Sequence, residues 1–194
     1  GFRWGEDGKW NLEEKTAEGA EVKLRVGLKG AHDDVAEVLF PYFANTASNG
    51  FASTDHPDTL MRRVPVKRLT LKDGETLVAS VYDLFLANYG VDQGFGGEHL
   101  PSSYDDIEPY TPAWAEKVTT VPREQVIAVA RGFATNAEKT NGKSMVIIGA
   151  AMNHWYHMDM NYRGVINLLA MCGCIGQSGG GWSHYVGQEK LRPQ

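Results

Sequence analysis

The sequence predicts an α/β protein in which a β-hairpin-rich N-terminal part precedes a partial doubly wound α/β unit. Residues 1–91 contain short segments of alternating apolar and polar residues separated by Gly and Asp, the pattern of a β-rich insert with hairpins. Residues 92–111 are rich in Gly, Ser, Asp and Pro, which is typical of a linker. Residues 112–194 alternate helix-like and strand-like apolar segments, which predicts an α/β segment with helices beside a buried sheet.

The N-terminal elements follow from turn residues and from apolar spacing. The second hairpin is the clearest, because apolar residues keep a period of two on both sides of an Asp-Gly turn at 72–74. The predicted elements, in order, are a hairpin at 2–12 around Gly5–Gly8, a strand at 22–28, a short helix at 35–43 ended by Pro41, a polar loop at 46–57, strands at 65–71 and 75–81, and a helix at 82–89.

The C-terminal elements follow from proline positions and from longer apolar stretches. Pro122 suits the first turn of a helix, because the N–H that proline lacks is not needed there. The apolar segment at 144–149 does not alternate, so we expect a strand buried on both faces. The predicted elements are helices at 112–118 and 122–136, a strand at 144–149 and a helix at 159–174 that turns Val165, Ile166, Leu168, Leu169 and Cys172 inward. On the second helix we expect Val126, Ile127, Val129, Ala130, Phe133 and Ala137 to form one apolar stripe.

Charge and cysteine content exclude some classes of function. The 24 acidic residues outnumber the 19 basic ones, and the basic residues are scattered, so we expect no nucleic-acid partner. Only two cysteines occur, Cys172 and Cys174, one residue apart in an apolar segment. They are too close to brace a fold by a disulfide, and two sulfurs cannot hold an iron–sulfur cluster, so we interpret them as core thiols.

The residues after the predicted buried strand are the first candidate site. Ligands of open α/β sheets bind beyond the carboxyl ends of the strands, and here that position holds Asn153, His154, Trp155, Tyr156 and His157. The amide and imidazoles can donate and accept hydrogen bonds, and the aromatic rings offer flat stacking surfaces, so a phosphate-bearing heterocycle would suit the loop. A packing role for these residues fits the spacing equally well. A metal site at the two histidines is a weaker interpretation, because the next acidic residue, Asp159, looks like a helix N-cap.

The second candidate site is a glycine-rich turn at 176–181, which has four glycines in six residues. One glycine is normally enough to end a helix. The excess indicates backbone conformations closed to other residues, or N–H groups that approach a ligand. A flexible linker is the alternative. The turn lacks the Lys-Ser/Thr ending of a phosphate-binding loop and does not follow a strand, as a dinucleotide fingerprint would.

At these residues the sequence resembles a known family. Gly-Ala-Ala-Met-Asn-His-Trp-Tyr-His-Met-Asp-Met-Asn-Tyr-Arg-Gly at 149–164 and Cys-Gly-Cys-Ile-Gly-Gln-Ser-Gly-Gly-Gly-Trp-Ser-His-Tyr-Val-Gly-Gln-Glu-Lys-Leu-Arg-Pro-Gln at 172–194 closely resemble the catalytic alpha subunits of respiratory nitrate reductases. Segments at 1–12, 65–69 and 112–116 resemble them too, and the likeness is weakest at about 46–62. More broadly, the chain is similar to the molybdopterin oxidoreductase superfamily.

The resemblance implies an oxidoreductase that reduces nitrate to nitrite with two electrons. It implies two molybdopterin guanine dinucleotides around one molybdenum and a 4Fe-4S cluster in the full protein, with no cluster ligand in this chain. It also implies partners: the remainder of the alpha subunit, an iron–sulfur beta subunit and a haem-bearing gamma subunit. The full enzyme would then lie at the cytoplasmic face of the cell membrane, held there by its partners, and this chain would be a soluble internal fragment that is inactive alone.

The same resemblance implies which residues line the cofactor cavity. They are Asn153, His154, Trp155, Tyr156, His157, Gly176, Gln177, Ser178, Gly179, Gly180 and Gln188. We expect the loop and the glycine-rich turn to face one shared cavity. The family's molybdenum-ligating Asp lies upstream of the matched region, so no residue of this chain is predicted to be catalytic, and Asp159 is no substitute for it.

Other functions remain open from the sequence alone. The chain would be a non-catalytic folded interaction domain of the same subunit if residues 2–91 served contacts within that subunit or with the beta subunit. A nitrite oxidoreductase of similar design would run the reaction in reverse. An independent α/β nucleotide-binding domain is a weaker hypothesis, because the expected glycine fingerprints are absent.

Overall fold

The computed structural model describes residues 14–15, 21–22, 27–42, 59–71, 74–149 and 151–184. The chain divides into two compact units, Gly1–Arg123 and Glu124–Gln194. The predicted hairpin at 2–12, most of the strand at 22–28, the loop at 46–57 and two residues of the Asp-Gly turn lie outside the described residues. The predicted division into segments 1–91, 92–111 and 112–194 stays a prediction.

The N-terminal unit contains a three-stranded antiparallel sheet. Two short strands, β1 (Glu14–Lys15) and β2 (Glu21–Val22), pair with each other ahead of it. The sheet has the order β3 (Asp34–Pro41), β4 (Thr59–Leu71) and β5 (Gly74–Ala79). The predicted hairpin at 65–81 is therefore confirmed, as β4 and β5. Its first strand begins at Thr59, earlier than predicted.

The predicted helix at 35–43 is wrong, because residues 35–41 belong to β3 (Asp34–Pro41). Pairing with β4 places Ala36, Val38 and Phe40 on one face and leaves Val35 and Leu39 exposed. An alternation with period two is what an antiparallel strand with one covered face requires. The β-branched valines also favour a strand over a helix.

The core of this unit lies between the sheet and helix α1 (Val81–Asn88), which contacts β4. Its buried residues are Phe40, Leu60, Val64, Val66 and Ala87. The β4 strand pairs with β3 over its first part, as far as Val66, and with β5 from Val66 onward. Beyond the end of β5, the opposite edge of β4 is bonded instead by residues 96–98, through Arg63 N–H to Gly96 O at 3.1 Å and Glu98 N–H to Met61 O at 2.8 Å.

Two of the helices begin at residues whose side chains cap them. Ser80 accepts a hydrogen bond from the Asp83 N–H and starts α1, which confirms the helix predicted at 82–89. Thr111 accepts from the Trp114 N–H and starts α2 (Pro112–Thr119), with proline in the first turn, and this confirms the helix predicted at 112–118. The long helix predicted at 122–136 is confirmed as α3 (Arg123–Lys139).

The described residues of the C-terminal unit form a parallel strand pair together with helices α3 and α4. After α3 come β6 (Met145–Ile148), a short 3-10 turn (Met152–His154), helix α4 (Met158–Met171) and β7 (Gly181–His184). The β6 and β7 strands pair in parallel, with Met145 beside Gly181 and Ile148 beside His184. The strand at 144–149 and the helix at 159–174 were predicted, whereas β7 was not.

Two details of the predicted core are wrong. The β6 strand is not buried on both faces, because α3 and α4 both pack on the side of Val146 and leave Met145 43% and Ile147 78% exposed. The apolar stripes of the helices are narrower than predicted, since Val129 on α3 and Ile166 and Leu168 on α4 are exposed. The buried core consists of Ala137, Leu169 and Cys174, packed against Phe133, Val146, Val165, Cys172 and Trp182.

Cys174 is fully buried and Cys172 packs beside this core, and both are free thiols, which confirms their interpretation as core residues. Burial, together with the neighbouring Cys174, raises the pKa of the Cys172 thiol. The thiol is therefore a weaker nucleophile than an ordinary cysteine at neutral pH. None of the helices in the described ranges is both long and apolar enough to cross a membrane.

Candidate functional site

The candidate site lies at the carboxyl edge of the β6–β7 pair, the edge where both strands end. The pairing of Ile148 with His184 brings the last residues of the two strands together at this edge. The chain leaves β6 there and enters the loop 149–157, as the sequence predicted. We call this end of the pair the carboxyl edge, and the end at Met145 and Gly181 the amino edge.

The loop is held in shape by short-range backbone bonds. The His154 N–H donates to Ala151 O and the Trp155 N–H donates to Met152 O, each at 3.2 Å, which forms the 3-10 turn. These bonds project two aromatic side chains into solvent: Trp155 is 57% exposed and Tyr156 is 88% exposed. Exposed aromatic rings of this size are the flat surfaces on which a heterocycle stacks.

Asn153 is the polar residue of the loop with an unmet hydrogen-bonding need. Its side-chain oxygen Oδ1 is buried and has no hydrogen-bond partner in the part of the chain that the structure describes. An unpaired buried amide oxygen costs about 1–3 kcal/mol, so a native protein normally supplies it with a donor. The oxygen is an acceptor, and the missing partner is therefore an N–H or O–H group.

Helix α4 begins directly after the loop, and Asp159 is not its N-cap. The N-cap is His157, which has a left-handed φ of 56° and makes no side-chain capping bond, and Asp159 lies inside the first turn. This corrects the interpretation of Asp159 from the sequence. A carboxylate in the first turn stabilises the helix dipole but repels a phosphate at the helix N-terminus. The charge favours a ligand group with N–H donors at this position.

A further cluster at the carboxyl edge was missed in the sequence. The Tyr162 hydroxyl on α4 lies 3.2 Å from Nε2 of His184 at the end of β7. The Tyr162 ring contacts the Trp182 ring edge-on at a centroid distance of 5.0 Å, and Trp182 and His184 are nearly parallel, with 16° between their planes. Trp182 and His184 are two residues apart and share one face of a strand, a signal that becomes visible once β7 is recognised.

The glycine-rich turn lies at the amino edge. Gly173, Gly176, Gly179 and Gly181 all have positive φ, a conformation that L-residues other than glycine rarely adopt. A Cβ on Gly180 would overlap the carbonyl oxygen of Gly142, in the loop that enters β6. The first alternative from the sequence, backbone conformations closed to other residues, thus accounts for the glycine excess.

The expectation of one shared cavity is corrected by this topology. Gly181 pairs with Met145, whereas the loop begins after Ile148, so the turn and the loop lie at opposite ends of the pair. The four residues of β6 separate the two ends by about 13 Å at ~3.3 Å per residue. Since α4 runs from one edge back to the other, each edge offers a surface of its own. Gln188 lies outside the described residues.

Comparison with known proteins shows the family. The sequence profile of the molybdopterin oxidoreductases matches residues 15–189. The chain belongs to the molybdopterin oxidoreductase family. It is 58% and 60% identical to the respiratory nitrate reductase 1 and 2 alpha chains of Escherichia coli and 47% identical to the nitrate reductase alpha chain of Bacillus subtilis. All of this chain is matched in each comparison, but it spans only 16%, 16% and 15% of those relatives.

Membership of the molybdopterin oxidoreductases implies a molybdenum–pterin cofactor, and the carboxyl edge fits such a group. The Asn153 oxygen needs a donor, and a pterin carries ring and exocyclic N–H groups. The exposed Trp155 ring suits the flat heterocycle. Among the described residues no three His, Cys, Asp or Glu side chains converge to hold a metal ion, so His154 and His157 belong to no such group.

Proposed function

We propose that this chain is part of the catalytic alpha subunit of a molybdenum-dependent nitrate reductase and that its carboxyl edge binds part of a molybdopterin guanine dinucleotide. The observation that carries the proposal is the buried Asn153 oxygen without a partner, in the loop where α/β sheets bind ligands. The identity to nitrate reductase alpha chains over the whole chain supports the choice of subunit. The bis-dinucleotide form of the cofactor is part of the proposal.

The chemistry of the carboxyl edge favours the pterin or guanine end of the cofactor over its pyrophosphate. Both heterocycles carry a 2-amino-4-oxopyrimidine ring, which presents adjacent N–H donors. Asn153 Oδ1 and the Asp159 carboxylate are acceptors, and Trp155 supplies a stacking surface. His154, Tyr156 and His157 complete the proposed contact set from the same loop.

The glycine-rich turn contacts a different part of the cofactor in this proposal. Gly176, Gln177, Ser178 and Gly179 carry backbone N–H groups, the donors that suit a pyrophosphate. The Gly180 N–H already donates to Gln177 O at 3.0 Å, so Gly180 is proposed to line the site without donating to the ligand. A heterocycle bound at the carboxyl edge does not itself reach the amino edge. The other end of an elongated dinucleotide, or the second of two such molecules, would contact the glycine-rich turn there. Gln188, shortly beyond β7, is proposed as a further contact.

The missing neighbours of β6 and β7 are proposed to come from the rest of the subunit. A parallel sheet is normally covered on both faces, and here Met145 and Ile147 face outward. The chain spans 16% of its relatives, so most of such a polypeptide is available to add strands and helices. The complete domain would then be doubly wound.

The reaction proposed for the full enzyme is nitrate plus two electrons and two protons giving nitrite and water. The molybdenum centre supplies the two-electron oxygen-atom chemistry when it is bound. This chain's contribution is to orient the cofactor and to exclude water from its heterocycle, and we assign no catalytic residue here. An iron–sulfur beta subunit, a haem-bearing gamma subunit, a 4Fe-4S cluster and the cytoplasmic face of the membrane belong to the proposal for the whole protein.

The test uses the full-length subunit with Asn153→Leu, which removes the acceptor but keeps a similar volume. We expect molybdenum and guanine-nucleotide content per chain to fall about fivefold, since a hydrogen bond to a buried acceptor is lost. Gln125→Leu, an equivalent change at an exposed position on α3, is the control and should keep full content. Full cofactor content in Asn153→Leu would refute the proposed role of this loop.

The second candidate function is a non-catalytic interaction domain of the same subunit. The exposed apolar pair Met145 and Ile147 favours it, because a face of this kind suits protein contact. It predicts that Asn153→Leu leaves cofactor content unchanged, while Ile147→Glu prevents assembly of the subunit. Asn153→Leu separates the two functions, because the first proposal also covers the Ile147 face with the rest of the subunit. A nitrite oxidoreductase shares every contact proposed here and differs only in the direction of the reaction.

A further inference from the structure

We propose that Tyr162 is a positioning residue for His184, and that His184 contacts the heterocyclic ligand at the carboxyl edge. The inference rests on the proposed function, because the ligand is the one assigned to that edge. It adds residues from α4 and from β7 to a site that the sequence placed only in the loop after β6.

The position of His184 follows from strand pairing. It is the last residue of β7, and its backbone lies beside Ile148, the last residue of β6. The loop 149–157 starts from that same point. His184 is exposed, whereas Trp182, two residues earlier on the same face, is half-buried. The imidazole therefore stands where the core ends and the carboxyl edge begins.

The orientation of the imidazole is fixed from two sides. The Tyr162 hydroxyl lies 3.2 Å from Nε2, and the Trp182 ring is stacked nearly parallel at a centroid distance of 6.2 Å. Tyr162 itself packs against both rings, at 5.0 Å from Trp182 and 6.0 Å from His184. A solvent-exposed histidine with no role would not need a hydrogen bond and a stacking partner to hold one orientation.

The second ring nitrogen is left for a ligand. Nδ1 of His184 makes no hydrogen bond to any residue in the described part of the chain. A hydrogen bond at one nitrogen of a neutral imidazole selects whether the other nitrogen donates or accepts. The Tyr162 hydroxyl can donate to Nε2 or accept from it, so the contact fixes the direction of Nδ1 and leaves Nδ1 the role complementary to that of Nε2. Space exists beside the backbone here, because a Cβ on Gly149 would meet no atom within 4 Å.

The two sides of the edge are complementary in chemistry. Asn153 Oδ1 on the loop needs a donor, and the imidazole of His184 offers a second polar contact from β7. A 2-amino-4-oxopyrimidine ring carries donors and acceptors on neighbouring atoms, so it satisfies both groups at once. Pterin and guanine share this ring, so the proposal assigns the contact to the ring that they have in common.

The experiment compares cofactor content in the full-length subunit with His184→Gln, Tyr162→Phe, the double variant, and Tyr82→Phe as a matched loss of a tyrosine hydroxyl in the N-terminal unit. We expect about a fivefold loss for His184→Gln, about a threefold loss for Tyr162→Phe and none for Tyr82→Phe. Because Tyr162 acts through His184, the double variant should lose no more than His184→Gln alone. Molybdenum, pterin and guanine nucleotide are each measured per chain, and all three should fall together because one cofactor carries them.

Other results would contradict the role of Tyr162, the contact of His184 with the ligand, or the proposed function of the loop. Independent, multiplying losses in the double variant would show that Tyr162 does not act through His184. Wild-type content in both single variants, with Asn153→Leu depleted, would overturn this inference and leave the proposed function in place. Wild-type content in all three would overturn both. If His184→Gln is not recovered as folded protein, Tyr162→Phe decides, since it keeps the ring packing.

Discussion

The strands of the two units are covered by helices in different ways. In the N-terminal unit, the three antiparallel strands are neighbours in the sequence, and α1 covers the face that holds Val64 and Phe40. In the C-terminal unit, two parallel strands have both helices on one face and leave Met145 and Ile147 exposed on the other. The first arrangement covers its sheet with nearby segments of the chain, whereas the second leaves one face of its strand pair exposed.

Arg62 is a buried polar residue of the N-terminal unit whose side-chain nitrogens all find acceptors within the described residues, although His32 Nδ1, Asp83 Oδ1 and Trp114 Nε1 of the same unit are buried without a described partner. It is buried on β4 and donates to four carbonyl oxygens, those of Ala87, Asn88, Glu98 and His99, at 2.6 to 3.1 Å. Two of these carbonyls belong to the last turn and the end of α1, where the helix dipole favours a cation. Burial lowers the pKa of Arg62, and Glu108 opposes that shift. No comparable internal partner is found for Asn153 among the described residues.

The largest predicted effect is at Arg62. Arg62→Leu should destabilise the N-terminal unit by about 3–5 kcal/mol, since it leaves buried carbonyls without donors. Urea unfolding of the 194-residue chain measures the loss. Arg63→Leu is the control, because this neighbouring side chain is exposed and, within the described residues, forms its ion pair with Glu37; the change should cost less than about 1 kcal/mol. Equal losses would contradict the role given to Arg62.

The next effect is at the amino edge of the C-terminal unit. Gly180→Ala should cost about 1–3 kcal/mol, because its Cβ overlaps the Gly142 carbonyl and the two loops must separate. Gly164→Ala lies in the middle of α4 with open space around it, and should be neutral or slightly stabilising. Thermal unfolding compares the two. A harmless Gly180→Ala would mean that the two loops are not in contact.

A smaller effect tests whether the C-terminal unit is incomplete. Ile147→Ser should change the stability of the 194-residue chain by less than about 0.5 kcal/mol, because the side chain is exposed there. In the full-length subunit the same change should cost about 1–2 kcal/mol if another element covers this face. Leu169→Ala, in the buried core, should be costly in both proteins. Equal small effects of Ile147→Ser would show that the face stays open.

The smallest effect concerns pH. Hydrogen bonds from the Ser102 backbone and side chain lower the pKa of Asp106, and those from Arg123 lower the pKa of Glu116. A lowered carboxyl pKa stabilises the fold above the unfolded value and is lost as pH falls through the folded value. Stability of the N-terminal unit should therefore decline below about pH 4. Asp106→Asn should flatten the decline in a urea series from pH 6 to pH 3.

Local patterns predicted much of the fold. The Asp-Gly turn and the period of two identified β4 and β5, and Pro112 and Pro122 marked two of the helix starts. The segment at 35–43 was read as a helix because its strand partner, β4, lies some twenty residues further along the chain. The four-residue β7 was missed because its pairing with β6 is non-local. The glycine-rich turn directly before it also gives no sequence signal for the start of a strand.

The candidate site was predictable only in part. The rule for α/β sheets placed the Asn153 loop at a carboxyl edge, as the structure has it. The glycine-rich turn was assigned to the same cavity because the strand that sends it to the other edge had not been recognised. Tyr162 and His184 were missed for the same reason. Their contact depends on the register of a parallel pair, which no single segment encodes.

Hydrogen exchange in the full-length subunit, with and without its molybdenum cofactor, tests directly whether the carboxyl edge binds the cofactor. We expect backbone amides at 151–158 to exchange more slowly when the cofactor is bound, because the ligand covers the loop and the first turn of α4. Residues 126–136 on α3 serve as the internal reference. Equal exchange of the loop amides in the two forms would contradict a ligand site at the carboxyl edge.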